Sequence, residues 1–145
     1  MLADLANQSV DAVVCDPPYN REGLSSSYSA LSEVAARVLK PGRLCVTDCG
    51  KAWLPDHFDR LAEHLDYVWT GAIFLPGRHT VFRHKMIFRR WRPVAFFSAG
   101  TYGVRTTIVD ALMAGGAARK DRANHPWQQT VGPFSRLVEM GSSTR

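Results

Sequence analysis

Asp16-Pro17-Pro18-Tyr19 places a carboxylate, two rigid residues with free carbonyls and an aromatic ring in one unbroken run. Chemistry on a planar amino group calls for such a set. The carboxylate and a proline carbonyl can each accept one amino hydrogen, while Tyr19 covers the face of a ring such as a base turned out of its stack. The lead-in Ser9-Val10-Asp11-Ala12-Val13-Val14-Cys15 is short, apolar and β-branched, which predicts a buried strand. Pro17 and Pro18 cannot donate to a ladder and so end it. Asp16 is therefore expected at the carboxyl end of a strand, where open α/β sheets receive their ligands. Taken alone, the tetrapeptide also fits a strand closed by a proline turn.

The elements that must position this motif follow from pattern. Asn20 to Ser29 is rich in Ser and Gly and reads as a loop. Leu31, Val34, Ala35, Val38 and Leu39 mark one helix face, which Pro41-Gly42 ends. Arg43 to Thr47 enters a second strand that finishes near Asp48. Pro55 and Asp56 open another helix, with Phe58, Leu61, Ala62 and Leu65 on its buried side. Tyr67 to Leu75 predicts a third strand and Pro93 to Ser98 a fourth. Val109, Leu112 and Met113 suit a short helix before Gly115-Gly116. A last helix carries Phe134, Leu137 and Val138 on one face, with Gly141 as its stop. Two strand–helix–strand units in succession predict an α/β fold with about four strands, mostly parallel, the later pair forming an antiparallel hairpin.

Charge is distributed unevenly. Residues 1 to 66 hold six basic and ten acidic side chains, residues 67 to 109 hold seven basic and none acidic, and residues 110 to 145 hold five and three. The middle stretch is thus a positive stripe within a chain of net charge +5. Inside it, Arg78, Arg83, Lys85, Arg89, Arg90 and Arg92 alternate with Phe82, Phe88 and Trp91, a mixture suited to phosphate contact and to stacking on an unpaired base. A strand with a basic outer face is the plainer alternative.

At 145 residues the chain fits one domain, and 46% apolar with 21% charged residues is ordinary for a globular protein. No apolar run is long enough for a bilayer and the first residues lack a signal-peptide pattern, so no membrane is expected. Cys15, Cys45 and Cys49 form neither an even disulfide set nor a paired zinc pattern, which suggests buried reduced thiols and a cytoplasmic setting. His57, His64, His79, His84 and His125 show no ligand spacing, and no metal is expected.

Several of these segments together resemble the SAM-dependent DNA amino-methyltransferases of the Asp-Pro-Pro-Tyr type, which modify adenine-N6 or cytosine-N4. The resemblance runs through Asn7 to Val14, Asp16 to Tyr19, Leu39-Lys40-Pro41-Gly42, Arg92 to Ser98 and His125-Pro126-Trp127-Gln128-Gln129. It covers nearly the whole chain, in the permuted order with the catalytic motif first. It implies a Rossmann-like methyltransferase sheet flanked by helices, DNA as substrate and S-adenosyl-L-methionine (SAM) as cofactor. By the same resemblance Asp16, Pro17, Pro18 and Tyr19 are catalytic, and Asp16, His125, Pro126 and Phe134 lie against the cofactor. Asp at the first motif position leans towards adenine.

The family also leads one to expect a Phe-x-Gly-x-Gly turn after the last helix, where the chain reads Gly141-Ser142-Ser143-Thr144-Arg145. The expectation is one incomplete methyltransferase domain: a catalytic-motif half over 1–66, a basic strand region over 67–109, and a loop with the final helix over 110–145. The cofactor half would be missing, and a second chain could supply it. The alternatives are a non-catalytic remnant that keeps only DNA binding, and a methyltransferase acting on protein glutamine or RNA.

Overall fold

The computed structural model describes residues 4–18, 21–76, 80–103, 107–114 and 131–142. The elements run β1 (Val10–Cys15), α1 (Arg21–Val38), β2 (Leu39–Asp48), α2 (Leu54–Leu61), β3 (Asp66–Phe74), β4 (Thr80–Phe82), β5 (Ile87–Arg89), β6 (Trp91–Ser98), β7 (Ala111–Met113) and α3 (Val131–Ser142). Five strands form one sheet in the order β1-β2-β6-β3-β7, while β4 and β5 pair as a separate ribbon. β1 runs parallel to β2 and β3 parallel to β7, and β6 is antiparallel to both β2 and β3. β1, β2, β3 and β7 therefore point the same way, and their carboxyl ends meet the start of β6.

The place of β6 follows from its composition. Val94, Ala95, Phe96, Phe97 and Ser98 are all buried, so both faces of this strand need cover and it sits inside the sheet. The hairpin expected from sequence is β3 with β6, and β6 is turned inward against β2. Alternate residues serve two layers. Cys45, Ala95 and Phe97 face Tyr28, Ala35 and Leu39 of the α1 side, together with Leu61 and Leu65. Leu44, Val46, Val94, Phe96 and Ile73 face Leu137 and Met140 of α3. On the α1 side Phe58 meets Phe97 edge to face at 5.7 Å, and Ser32 Oγ donates to the Leu61 carbonyl at 2.7 Å, tying α1 to α2.

The structure corrects several expectations. Pro41-Gly42 does not end α1: the helix stops at Val38, and Leu39, Pro41 and Gly42 already belong to β2, which begins four residues before Arg43. Residues 21–29 are not a loop: α1 begins at Arg21. Ser and Gly are poor helix formers, but Tyr28, Ser32 and Ala35 are fully buried on one stripe, and packing of that stripe outweighs propensity. Leu112 and Met113 belong to a strand, because Ala111–Met113 pairs with Ala72–Phe74 and the Asp110 carbonyl accepts from Ala72 N at 2.6 Å. Finally, α3 buries Pro133, Leu137, Met140 and Gly141 while Val138 is exposed. Gly141 does not stop the helix. It lets α3 approach β1, and a Cβ there would lie 3.0 Å from that of Ala12.

Gly42 is the tight point of β2. Its φ of +71° and the Thr101 carbonyl, 2.8 Å from where a Cβ would stand, both demand glycine. The irregular register there, Val10 opposite Leu39 but Ala12 opposite Leu44, is clamped by Asp11, which takes Lys40 Nζ and Arg43 Nη2 at 3.1 Å each. No helix among the described residues is long and apolar enough to cross a membrane.

Candidate functional site

β1 brings Asp16 to its carboxyl end as the sequence suggests, though the strand is half-buried where a buried one was expected. The strand ends at Cys15, which lies opposite Thr47, and Asp16 follows as an exposed residue with Pro17 half-buried and Pro18 exposed. β1 is an edge strand, half-buried along its length, and no described strand pairs with its outer side. Tyr19 lies outside the described residues, as do Arg78, His125 and Pro126. Phe134 is half-buried in the first turns of α3.

Next to the motif, the end of β2 is held rigidly. Asp48 is fully buried, and its carboxylate Oδ2 lies 2.8 Å from Nη1 of Arg92, whose side chain is 13% exposed. The Asp48 carbonyl accepts from the Tyr28 hydroxyl at 3.4 Å, and Cys49 N donates to the Pro93 carbonyl at 2.9 Å. α1, β2 and β6 thus converge on the residue beside Asp16 in the sheet. Asp48 escaped the sequence analysis. The only available signal was an acid closing a strand of buried residues, a position that calls for a cationic partner.

The thiols form the floor beneath. The neighbouring Cys45 side chain, with a smaller contribution from Thr47, holds the Cys15 thiol below its usual range. The Cys45 thiol is pushed well up by its interaction with Cys15 and by burial. Burial, helped by the charge of Asp48, pushes Cys49 up to about 12. Tyr28 is raised by burial as well, and its ring stacks on His57 at 4.3 Å and 6°. His57 is completely buried, neither ring nitrogen has a hydrogen-bond partner, and burial lowers its pKa. No group of three His, Cys, Asp or Glu side chains among the described residues is placed to hold a metal.

The predicted cations separate into two populations. Arg92 is turned inward on Asp48, whereas Arg83, Lys85 and Arg90 are exposed and Arg89 is half-buried. Sequence reasoning missed Lys51, whose ammonium stands 4.5 Å over the Trp91 ring just beyond β2. Burial first, then the charge of Arg89, lowers its pKa. Trp91 in turn is opposite Phe74, and Phe74 opposite Met113, so an apolar row crosses three strands at the end of the sheet that carries Asp16.

No protein-family model and no curated protein matches the chain. Solved structures do. The cytosine-N4-specific PvuII DNA methyltransferase superposes with a TM-score of 0.72 at 14% identity, over 99% of this chain and 67% of its own. The M1.HpyAVI–SAM complex gives 0.66 at 12% identity, over 92% and 66%. A Thermus thermophilus protein described as a DNA modification methylase gives 0.61 at 19%, over 97% and 70%. The chain thus spans about two thirds of the length of these structures. The sheet and its flanking helices are the methyltransferase fold.

Proposed function

We propose that the chain provides the acceptor side of a SAM-dependent DNA methyltransferase and acts on the amino group of a base flipped out of the duplex. One observation carries the proposal: Asp16 and Pro18 stand exposed, with Pro17 half-buried between them, at the carboxyl end of a strand in a sheet of this fold. The Asp16 carboxylate accepts one amino hydrogen and the Pro17 carbonyl accepts the other. Together they turn the nitrogen lone pair out of the ring plane towards an incoming methyl carbon. Transfer would form the N–C bond as the methyl carbon's bond to the sulfonium sulfur breaks, the sulfur leaving as a neutral thioether, and Asp16 would accept the proton that the methylated nitrogen sheds. Tyr19 stacks on the base and offsets part of the few-kilocalorie cost of flipping. The exposed cations Arg83, Lys85 and Arg90 hold the phosphates. Adenine-N6 is the proposed target, on the strength of Asp at the first motif position.

SAM, when bound, supplies an electrophilic methyl group. The described residues fit the acceptor side of such a site, with Phe134 and, beyond the described residues, His125 and Pro126 as the proposed contacts to the cofactor. The outer side of β1, with which no described strand pairs, favours a second reading, in which another polypeptide completes the cofactor pocket.

Transfer of labelled methyl groups from SAM to unmethylated duplex DNA tests the proposal. Label is expected on an amino nitrogen, identified after digestion to nucleosides, and Asp16→Ala is expected to lower the rate by about a hundredfold to ten-thousandfold. Label that persists undiminished in Asp16→Ala refutes the role of the carboxylate. A folded chain that transfers nothing but regains transfer with an added cofactor-binding polypeptide selects the second reading.

A further inference from the structure

We propose that the apolar tip of the β4–β5 ribbon, Met86 with Phe88, inserts between stacked bases of the DNA. The inference rests on DNA being the substrate, but not on methyl transfer itself. Among the described residues β4 and β5 pair only with each other, Val81 opposite Phe88 and Phe82 opposite Ile87, through a tight turn at Arg83–Lys85. At that turn three large apolar side chains stand in solvent: Met86 is 80% exposed, Ile87 51% and Phe88 63%. A two-stranded ribbon is marginal by itself, and one that also exposes its apolar side chains has the character of a surface awaiting a partner. Met86 adopts a φ of +51°, a left-handed conformation that is uncommon outside glycine and gathers at ligand clamps.

Charge and topology identify the partner. Arg83 and Lys85 are exposed at the turn and Arg90 at the stem, and residues 67 to 109 contain no acid, so a second copy of the ribbon would be repelled while a polyanion is attracted. The ribbon leaves the sheet after the carboxyl end of β3 and returns at the start of β6, with Leu75 N donating to the Arg90 carbonyl at 2.8 Å in its stem. That is the end of the sheet where Asp16 lies. Cations on phosphates with an apolar wedge between them is the arrangement by which proteins unstack a base step. Insertion here opens the stack close to the carboxylate and lowers the cost of bringing a base to it.

The test uses the full chain and a short duplex in which 2-aminopurine replaces adenine throughout one strand, since its fluorescence rises on unstacking. Wild-type protein is expected to bind with a steep salt dependence and to brighten the duplex. Met86→Ser with Phe88→Ser is expected to bind about tenfold to a hundredfold more weakly, keep the salt slope and lose most of the brightening. Arg83→Ala with Lys85→Ala is expected to lower the slope by about two and, at saturation, keep the brightening. All four side chains lie outside the core, and circular dichroism checks that each variant is folded. Brightening that survives the double-serine change overturns the proposal, as does failure of wild-type protein to bind DNA. So does a double-serine variant whose sole change is a loss of self-association in sedimentation. Protein that brightens the duplex yet transfers no methyl group, alone or with an added cofactor-binding polypeptide, refutes the enzymatic proposal and leaves the insertion standing.

Discussion

Arg92 poses a choice between the proposed contact with DNA and holding the fold, and Arg92→Met decides it. By sequence Arg92 belongs to the basic stripe, yet its guanidinium lies 2.8 Å from the carboxylate of the fully buried Asp48. Removing one partner of a buried pair leaves a charge in a poorly solvated site and costs about 3–5 kcal/mol. A small domain has about 5–15 kcal/mol in total, so the loss is severe. At this chain length one kcal/mol moves the melting midpoint by about 3 °C, which makes the expected drop about 9–15 °C. The measurement is thermal unfolding by circular dichroism, paired with DNA affinity over a range of salt concentrations below the new midpoint. The salt slope should stay at its wild-type value, because a guanidinium held on Asp48 releases no phosphate counterion. Asp48→Leu combined with Arg92→Met should return the midpoint close to wild type, since an apolar pair can replace a buried ion pair at little net cost. An unchanged midpoint in Arg92→Met, with the slope reduced by about 0.9, would show that Arg92 neutralises a phosphate and that the ion pair is not made in solution.

Other consequences are simpler to test. Gly42→Ala places a Cβ 2.8 Å from the Thr101 carbonyl in a left-handed conformation, and should cost about 2 kcal/mol or more in urea unfolding. His57 is buried and its pKa is lowered from 6.5. The unfolded chain therefore takes up a proton first as pH falls below about 6.5, and the folded state loses stability from there down to its own lower pKa, by at most about 1.4 kcal/mol per pH unit. His57→Leu should flatten that part of the stability profile; a profile identical to wild type would mean that the imidazole is not the group titrating. Among the thiols, Cys15 is half-buried with a lowered pKa, whereas Cys45 and Cys49 are buried with raised values. Iodoacetamide on the native protein should modify Cys15 first by peptide mass mapping, and a faster Cys49 would contradict the packing of the floor.

Contiguous chemistry was the legible part of the molecule. β1 and its proline stop are written in successive residues, so both the strand and the position of Asp16 at its end follow from local rules. The helix at residues 21–29 was not legible. Its Ser-rich sequence disfavours helix locally, and what overrides that is Tyr28 packing beneath the end of β2 and against His57, contacts 20 and 29 residues away in sequence. β7 was hidden for a related reason. Three residues carry no periodicity, and only the close approach of Asp110 to Gly71 and Ala72 draws them into the sheet.

The same distinction explains why the cations had to be sorted by structure. The six cations singled out in the stripe look equivalent in sequence, and aromatic interleaving does not rank them. Separation comes from β6, whose residues Val94 to Ser98 are buried on both faces and therefore run between β2 and β3. That insertion brings the start of β6 alongside the end of β2, and Arg92 meets Asp48 across a sequence gap of 44 residues. Once Arg92 closes the strand ends into a rigid wall, the exposed cations and Met86 are left on the ribbon that rises from the same end. Rigidity next to Asp16 and an exposed, basic, apolar-tipped arm beyond it are thus two results of one strand placement. A substitution that pushed β6 out of the sheet, such as Phe96→Asp, would abolish both together with the fold, whereas changes on the ribbon would leave the fold and remove only the proposed DNA contacts.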